Sequence, residues 1–518
     1  MRPFFLVTLA ACSPTTDKGL RSDTSLFSDP AGDTGATFPA GPNDTGAPPE
    51  DEADRLALPP AGTEVFVFIA NPDRDTVTRV NVNSSAVDTT PVGNHPTHVR
   101  TTADLKTAVV FNESDDSVSL IDTTTLTQTV VAVREDLNRL ELSPDGAFAV
   151  LWYDAFAPDD PDASNDDGLQ SYNEASFIHI PSGTHTPMVV GYRPRQIAFT
   201  PDGRLAVLVS DDYLAKVDLS TDTPLLTLIE LDPGNLSPPA AEELAVDPSG
   251  TWAYVRQFGA NDVLVVDLNS GGVDSVPAGD NPTDLDISPD GTRAVLVARG
   301  SQELWILSAA DPFAPAEVIA LPPDLSAGQL LFAPTGDVAV VYTTATLVAR
   351  YGIWNLTTDD IEADDLVKPV TTMSIAPNGE TLLVFHTLDD LPDTDDEFTG
   401  AWALSMIALD NQVASPLRLP GEPVGYTHST SGKHGFFVMD GETMLVQLNY
   451  DTLLTDEIAL HSNPVFVGAL PDLDLADGQE PRAWVSQEHE LGRISFWDPD
   501  DQKIETITGF ELNGEIED

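Results

Sequence analysis

Ser143-Pro144-Asp145-Gly146 is the stretch of sequence that decides the fold, because similar turns return at nearly regular intervals along the chain. The recurrences are Thr200-Pro201-Asp202-Gly203, Asp247-Pro248-Ser249-Gly250, Ser288-Pro289-Asp290-Gly291, Ala333-Pro334-Thr335-Gly336 and Ala376-Pro377-Asn378-Gly379, with weaker copies ending at Gly432 and Gly478. Successive glycines are 57, 47, 41, 45, 43, 53 and 46 residues apart. Such a period, with short strands on both sides of each turn, predicts an all-β fold, a β-propeller.

Each turn connects the first two strands of a four-stranded unit. Proline presets φ, aspartate can bond the nearby backbone, and glycine accepts a positive φ. Ten trios of second, third and outer strands can be counted, beginning near residues 64, 106, 147, 204, 251, 292, 337, 380, 433 and 481. The first trio lacks an inner strand, and residues 510–516 are predicted to supply it and so close the ring. One large ring is favoured; seven or eight blades plus extra units, or two rings, remain open.

Two further stretches carry a resemblance to a known family. They are residues 89–125, which include Asn94-His95-Pro96-Thr97-His98-Val99, and residues 261–291, which end in Ser288-Pro289-Asp290-Gly291. Both resemble the YVTN repeats of YncE-like and lactonase-like β-propellers, and the likeness extends over nearly everything after residue 60. It implies the fold and says little about activity, because the shared residues belong to turns and core.

The N-terminus is typical of an exported protein. Arg2 precedes an apolar run over residues 4–11, which is too short to span a bilayer. The run ends in Leu9-Ala10-Ala11-Cys12, which resembles a bacterial lipobox and implies a signal peptide over residues 1–11 and lipidation of Cys12. An ordinary secretory signal with an incidental cysteine is the alternative. Ser13 rather than aspartate favours the outer membrane, on its periplasmic or surface-facing side.

The composition divides the rest of the chain into a tether and a globular head. Residues 12–60 are rich in Asp, Thr, Gly and Pro and contain few residues able to form a core, so we expect a disordered tether before the propeller at 61–518. The net charge of −60 excludes nucleic acid and anionic lipid surfaces as partners. It serves solubility or gathers divalent cations. The single cysteine excludes an intramolecular disulfide.

Two acidic insertions are candidate cation sites. They lengthen two repeats between the second and third strands, at residues 158–168 and 389–397, and should project from the face where the chain enters the inner strands. Ca²⁺ or another divalent cation prefers flexible carboxylate oxygens of this kind. Solvated surface loops are the alternative. The candidate ligands are Asp160, Asp162, Asp166, Asp393 and Asp395.

A second candidate site is the mouth of the central channel on the same face. Alignment by the turn motif brings one polar residue from each inner strand to equivalent positions, and propeller ligands often bind where several blades contribute such groups. A wet channel that tolerates polar residues is the alternative. The row comprises His98, Arg139, Gln196, Glu243, Asp284, Gln329 and Thr372, with His95 beside it.

These features favour a monomeric, lipid-anchored, non-enzymatic envelope protein whose propeller binds a protein, glycan or small ligand on this face. The alternative is a lactonase-like, metal-assisted hydrolase or lyase that uses Glu243, Asp284, His98 and Arg139. A structural spacer without a ligand is a third class. The sequence contains no CxxCH, GxSxG, Walker A or GxGxxG motif.

Overall fold

The computed structural model describes residues 61–155, 172–232, 240–392, 396–471, 479–489 and 491–510. Their regular structure consists of forty β-strands in ten four-stranded antiparallel sheets, together with two short 3₁₀ helices, Pro72–Arg74 and Glu113–Asp115. No helix among them has the length and apolar character needed to cross a bilayer. Cys12, the predicted signal peptide and the predicted tether lie outside the described residues.

Every sheet is built from four consecutive strands, and we number these blades in chain order. The first five blades are β1 (Ala61–Gly62), β2 (Phe66–Asn71), β3 (Thr76–Asn81), β4 (Val87–Pro91); β5 (Pro96–Thr101), β6 (Thr107–Asn112), β7 (Ser117–Asp122), β8 (Gln128–Ala132); β9 (Arg139–Leu142), β10 (Phe148–Trp152), β11 (Glu174–His179), β12 (Thr184–Val189); β13 (Gln196–Phe199), β14 (Leu205–Val209), β15 (Tyr213–Asp218), β16 (Leu225–Glu230); and β17 (Ala241–Val246), β18 (Trp252–Gln257), β19 (Asp262–Asp267), β20 (Gly272–Pro277).

The second half of the chain repeats the same plan. Its blades are β21 (Pro282–Ile287), β22 (Arg293–Ala298), β23 (Glu303–Ser308), β24 (Glu317–Ala320); β25 (Gln329–Phe332), β26 (Val338–Tyr342), β27 (Arg350–Asn355), β28 (Ile361–Asp365); β29 (Val370–Ile375), β30 (Thr381–His386), β31 (Trp402–Ala408), β32 (Ala414–Leu419); β33 (Pro423–His428), β34 (His434–Met439), β35 (Met444–Asn449), β36 (Leu454–Ala459); and β37 (Pro464–Ala469), β38 (Ala483–Gln487), β39 (Arg493–Asp498), β40 (Lys503–Thr508).

The hydrophobic core is divided among the interfaces between neighbouring blades. The second and third strands are almost wholly buried and pack in ten apolar clusters, each of which joins one blade to the next. The tenth interface packs Val67 and Ile69 of blade 1 against Trp484 and Ile494 of blade 10. Because the chain of interfaces returns to its start, the prediction of a β-propeller is confirmed, as a single ring of ten blades.

The first blade differs from the sequence-based expectation. Its innermost position is occupied by the two-residue strand β1, in which Ala61 pairs with Phe68 and Gly62 with Val67. A strand of two small residues has no periodic pattern, so the first blade lacked an inner strand when judged from the sequence alone. Residues 511–516 of the segment 510–516, which was expected to fill this place, lie outside the described residues. Across the seam, Arg482 donates a 2.7 Å hydrogen bond to the carbonyl of Val82.

Connections alternate between the two faces of the ring. The turns from inner to second strand and from third to outer strand lie on one face, which we call the turn face. The turns from second to third strand, and from each outer strand to the next inner strand, lie on the other, which we call the loop face. On the turn face the repeated motif works as its chemistry predicts: Ser143 donates to Asp145 at 2.6 Å, Asp145 accepts from the Ala147 amide at 3.0 Å, and Gly146 has φ of 70°.

Candidate functional site

Both lengthened connections arise on the loop face. The first joins Trp152 to Glu174 in blade 3, and the second joins His386 to Trp402 in blade 8. The carboxylates predicted as cation ligands in them, Asp160, Asp162, Asp166, Asp393 and Asp395, lie outside the described residues. Within the ranges that the structure describes, no three His, Cys, Asp or Glu side chains are grouped so as to hold a metal ion.

A buried lysine organises the described ends of the second lengthened connection. Lys368 precedes β29 and is only 2% exposed. Its ammonium group donates to the carbonyls of Leu388 (3.0 Å), Phe398 (3.2 Å) and Ala401 (2.8 Å), and it lies 2.6 Å from the Asp390 carboxylate. The hydrogen bond from Lys368 lowers the pKa of Asp390. The protein's own cation therefore occupies the point where these oxygen atoms converge.

Two members of the aligned inner-strand row bond the next blade. The Gln196 amide oxygen accepts a 2.7 Å hydrogen bond from the Leu244 amide, and an Asp284 carboxylate oxygen accepts a 2.5 Å bond from the Leu330 amide. Both acceptors thus bond backbone N–H groups on the inner edge of the neighbouring sheet. A buried polar group satisfied in this way contributes to the architecture of the ring.

Glu243 is engaged within its own blade. It lies 2.7 Å from the Nε atom of Arg256, whose Nη1 atom lies 2.5 Å from Glu242. Glu243 is 5% exposed and Arg256 6%, so the pair is well shielded from solvent. Gln329, at the equivalent place in blade 7, is also buried, at 5%. Thr372 of blade 8 is half-buried.

The part of the row in blades 2 and 3 consists of a histidine, His98, and an arginine, Arg139. His98 packs against Phe111 and bonds the Thr97 hydroxyl at 2.8 Å. Burial, together with the positive charges of Arg100 and Arg139, lowers the pKa of His98 to about 3, so the ring is neutral at physiological pH. Arg139 lies 3.5 Å from Asp154. The nearby His95 has a φ of 52°, and its backbone amide donates to Asp75 at 2.9 Å.

The structure reveals a group that sequence reasoning missed, three tyrosines on the loop face between blades 3 and 4. We call Tyr153, Tyr172 and Tyr192 the tyrosine patch. The rings of Tyr153 and Tyr172 meet edge to face at 5.2 Å, and those of Tyr172 and Tyr192 lie 6.1 Å apart at an angle of 34°. Tyr172 is 36% exposed and Tyr192 52%. The available sequence signal was that tyrosines flank the longest insertion, at 153 and 172.

The backbone beneath the tyrosine patch is held by hydrogen bonds. The amide of Arg193, which has φ of 52°, donates to the Tyr172 carbonyl at 2.6 Å. The Asp211 amide donates to the Tyr192 carbonyl at 3.0 Å. The Arg193 guanidinium pairs with Asp211 at 2.5 Å and lies 5.3 Å from the centre of the Tyr192 ring. Two loops from different connections are thereby fixed relative to each other.

Comparison with known proteins supports the fold and goes no further. No protein-family model matches the sequence, and no curated protein matches it. A structure described as a eukaryotic initiation factor is 10% identical, with a TM-score of 0.50, over 76% of this chain and 96% of that chain. Dihydro-heme d1 dehydrogenase NirN in complex with DHE is 15% identical, with a TM-score of 0.45, over 69% and 74%. The Cps50 (Swd1) β-propeller domain of Myceliophteria thermophila is 11% identical, with a TM-score of 0.33, over 60% and 96%.

Proposed function

We propose that this protein is a YncE-like, lipid-anchored and non-enzymatic component of the bacterial cell envelope, whose propeller binds its ligand on the loop face. The observation that carries the proposal is the distribution of exposed aromatic side chains. Four are found among the described residues, and Tyr172, Tyr192 and Phe258 lie in connections of the loop face. The fourth, Phe313, lies on the turn face, where it packs against Trp252. Exposed aromatic groups gathered on one face are typical of an interaction surface.

The side chains of the inner-strand row give less support to the alternative of a hydrolase or lyase. It requires Glu243 and Asp284 to present carboxylates to a metal or substrate. Glu243 forms an ion pair with Arg256, and Asp284 accepts a hydrogen bond from the Leu330 amide. Both side chains are less than a tenth exposed, so engaging them would break an ion pair within blade 5 and a hydrogen bond that joins blade 6 to blade 7.

The anchor has a direct test in cells. The sequence Leu9-Ala10-Ala11-Cys12 supports lipidation at the only thiol in the chain, and the tether then holds the head at the outer membrane. Replacing Cys12→Ser should move the protein from the membrane fraction to the soluble fraction. Unchanged fractionation would contradict the anchor and leave the binding proposal standing.

Binding through the loop face is tested by photocrosslinking in intact cells. A benzophenone amino acid at position 192 keeps an aromatic ring there and reacts with C–H bonds of any adjacent protein, glycan or small molecule. The same group at position 313 on the turn face is the matched control. We expect a reproducible mass adduct from position 192 and none from position 313. The proposal fails if position 192 yields no adduct, or if both positions yield the same one.

A further inference from the structure

We infer that the ligand of the tyrosine patch is a neutral saccharide. This inference rests on the proposed function, because it names the chemical class that the loop face would recognise. It uses the described residues of the patch and their immediate neighbours. The first requirement is an open aromatic surface, and the half-exposed rings of Tyr172 and Tyr192 provide it.

The rings offer a surface that suits the apolar face of a sugar. The Arg193 guanidinium lies over the Tyr192 ring, 5.3 Å from its centre, and Tyr192 as a whole is 52% exposed. The Tyr172 ring packs edge to face with the Tyr153 ring. Tyrosine combines a large apolar face with a polar tip. A pyranose ring has the complementary form, with C–H groups on its faces and hydroxyl groups at its edge.

Polar groups for the sugar hydroxyls are present at the rim. The hydroxyl groups of Tyr172 and Tyr192 bond no residue in the part of the chain that the structure describes, and each can both donate and accept. Asp212 lies beside the patch, where its carboxylate accepts the Tyr192 amide at 3.1 Å. A ligand with many hydroxyl groups can use these atoms in place of water.

Charge argues against the other ligand classes. The overall charge of −60 repels an anionic ligand. A cationic ligand would lie next to the positive charges of Arg193 and Arg195, both of which contact Asp211. A wholly apolar ligand would cover the tyrosine hydroxyls without bonding them, which is costly. A neutral and hydroxyl-rich ligand meets none of these penalties.

The patch is also fixed before any ligand arrives. The Arg193-to-Tyr172 and Asp211-to-Tyr192 backbone hydrogen bonds hold the two aromatic residues in place, although they come from separate connections. Sugars bind weakly when a site must first be ordered, because ordering the side chains consumes part of the binding free energy. A prearranged platform reduces that loss.

The test uses the full chain made soluble by Cys12→Ser, titrated calorimetrically with three neutral hexasaccharides: chitohexaose, maltohexaose and cellohexaose. We expect at least one to bind, Tyr192→Ala to weaken it at least tenfold, and Tyr192→Phe to retain most of the affinity because the ring remains. Phe313→Ala is the exposed aromatic control and should bind like the parent. Unfolding temperatures establish that each variant is folded.

The outcomes separate this inference from the proposed function. Binding of none of the three sugars, or equal binding by the Tyr192→Ala variant, overturns the saccharide assignment. Binding of hexalysine in their place also overturns it and indicates a basic protein partner. If the benzophenone at position 192 still captures an adduct in cells, the loop face remains the binding surface and only the ligand class is wrong.

Discussion

The two faces of the ring differ in how they hold several of their carboxylates. On the turn face, hydrogen bonds from the Thr200 hydroxyl and the Arg204 amide lower the pKa of Asp202, and those from Ser270 and Asn269 lower the pKa of Asp267. On the loop face, burial and the neighbouring Asp440 raise the pKa of Glu422. The same chemical group therefore stabilises the turn face at these positions and is held at a cost at Glu422, whereas Asp390 of the loop face has a lowered pKa because the buried Lys368 bonds it.

This contrast indicates which face is free to serve function. Carboxylates of the turn face such as Asp202 and Asp247 are bonded within the turns that define the fold, so changing them costs stability. On the loop face Asp116 and Glu422 are held with raised pKa values, and the same face also presents the tyrosine patch. Residues retained despite an energetic cost are expected at functional surfaces.

The largest loss of stability should come from removing the buried ammonium group of Lys368 on the loop face. Lys368→Met keeps the length of the side chain but leaves the Asp390 carboxylate and three carbonyls without their ammonium partner. Breaking a buried ion pair from one side costs about 3 kcal/mol. We expect a loss of this size in urea unfolding, with faster proteolysis within residues 387–401.

Lys106→Met is the matched control for that experiment. Lys106 is on the turn face and pairs with Asp104 through a side chain that is 78% exposed. Exposed pairs contribute about 0–1 kcal/mol, so this variant should unfold almost like the parent. Equal effects from the two variants would show that the buried lysine does not organise the loop face.

The next effect should come from one carboxylate of the turn face. Asp247 is 5% exposed and accepts hydrogen bonds from the amides of Thr251 (2.7 Å) and Trp252 (2.5 Å). Hydrogen bonds to a charged group contribute about 1.5–3 kcal/mol, so Asp247→Ala should lower the free energy of unfolding by about 2 kcal/mol. Asp222→Ala, an exposed residue of the same face, should change it little. Similar losses from both would contradict a local role for the turn carboxylate.

The features that could be predicted from the sequence are those formed by residues close together along the chain. The turns were predictable because Ser143, Asp145 and Gly146 act on atoms two to five residues away. The ten blades followed from counting strands, and only β1 was too short to recognise. The repeat length alone did not decide between one ring and two, and the packing between blades shows a single ring.

The candidate site was less predictable because it depends on where side chains point between blades. Gln196 and Asp284 aligned with the channel row, yet both bond the backbone of the next blade. Tyr172 and Tyr192 come from different connections, and the sequence gives no sign that their rings lie 6.1 Å apart. Contacts between successive repeats, rather than within one, were the missing information.

The smallest expected effect is the change in stability when a single carboxylate is neutralised. It compares the faces most directly, because the change should be a gain at Asp116 on the loop face and a loss at Asp202 on the turn face. Burial, with Glu135 and Asp115 nearby, raises the pKa of Asp116 on the loop face above its ordinary 3.8, whereas the pKa of Asp202 is lowered below it. Ionised Asp116 therefore destabilises the fold at neutral pH, and this cost disappears as the pH falls through its raised pKa. Ionised Asp202 stabilises the fold above pH 3.8, and that contribution is lost as the pH falls through its lowered pKa.

Asparagine variants of Asp116 and Asp202 test whether the two charges have opposite effects on stability. Asp116→Asn keeps an acceptor for the Asp136 amide and should raise the unfolding temperature at pH 7, with the gain vanishing on acidification. Asp202→Asn should lower the unfolding temperature at pH 7 and become silent at the acidic end of the titration, where the parent carboxyl is itself protonated. If both variants shift in the same direction at pH 7, or if neither shift depends on pH, the two faces do not differ in how they hold charge. The two carboxylates would then differ only in burial. Hydrogen bonds to a carboxylate and repulsion from neighbouring carboxylates both act on its charged form, so each must produce a pH-dependent difference.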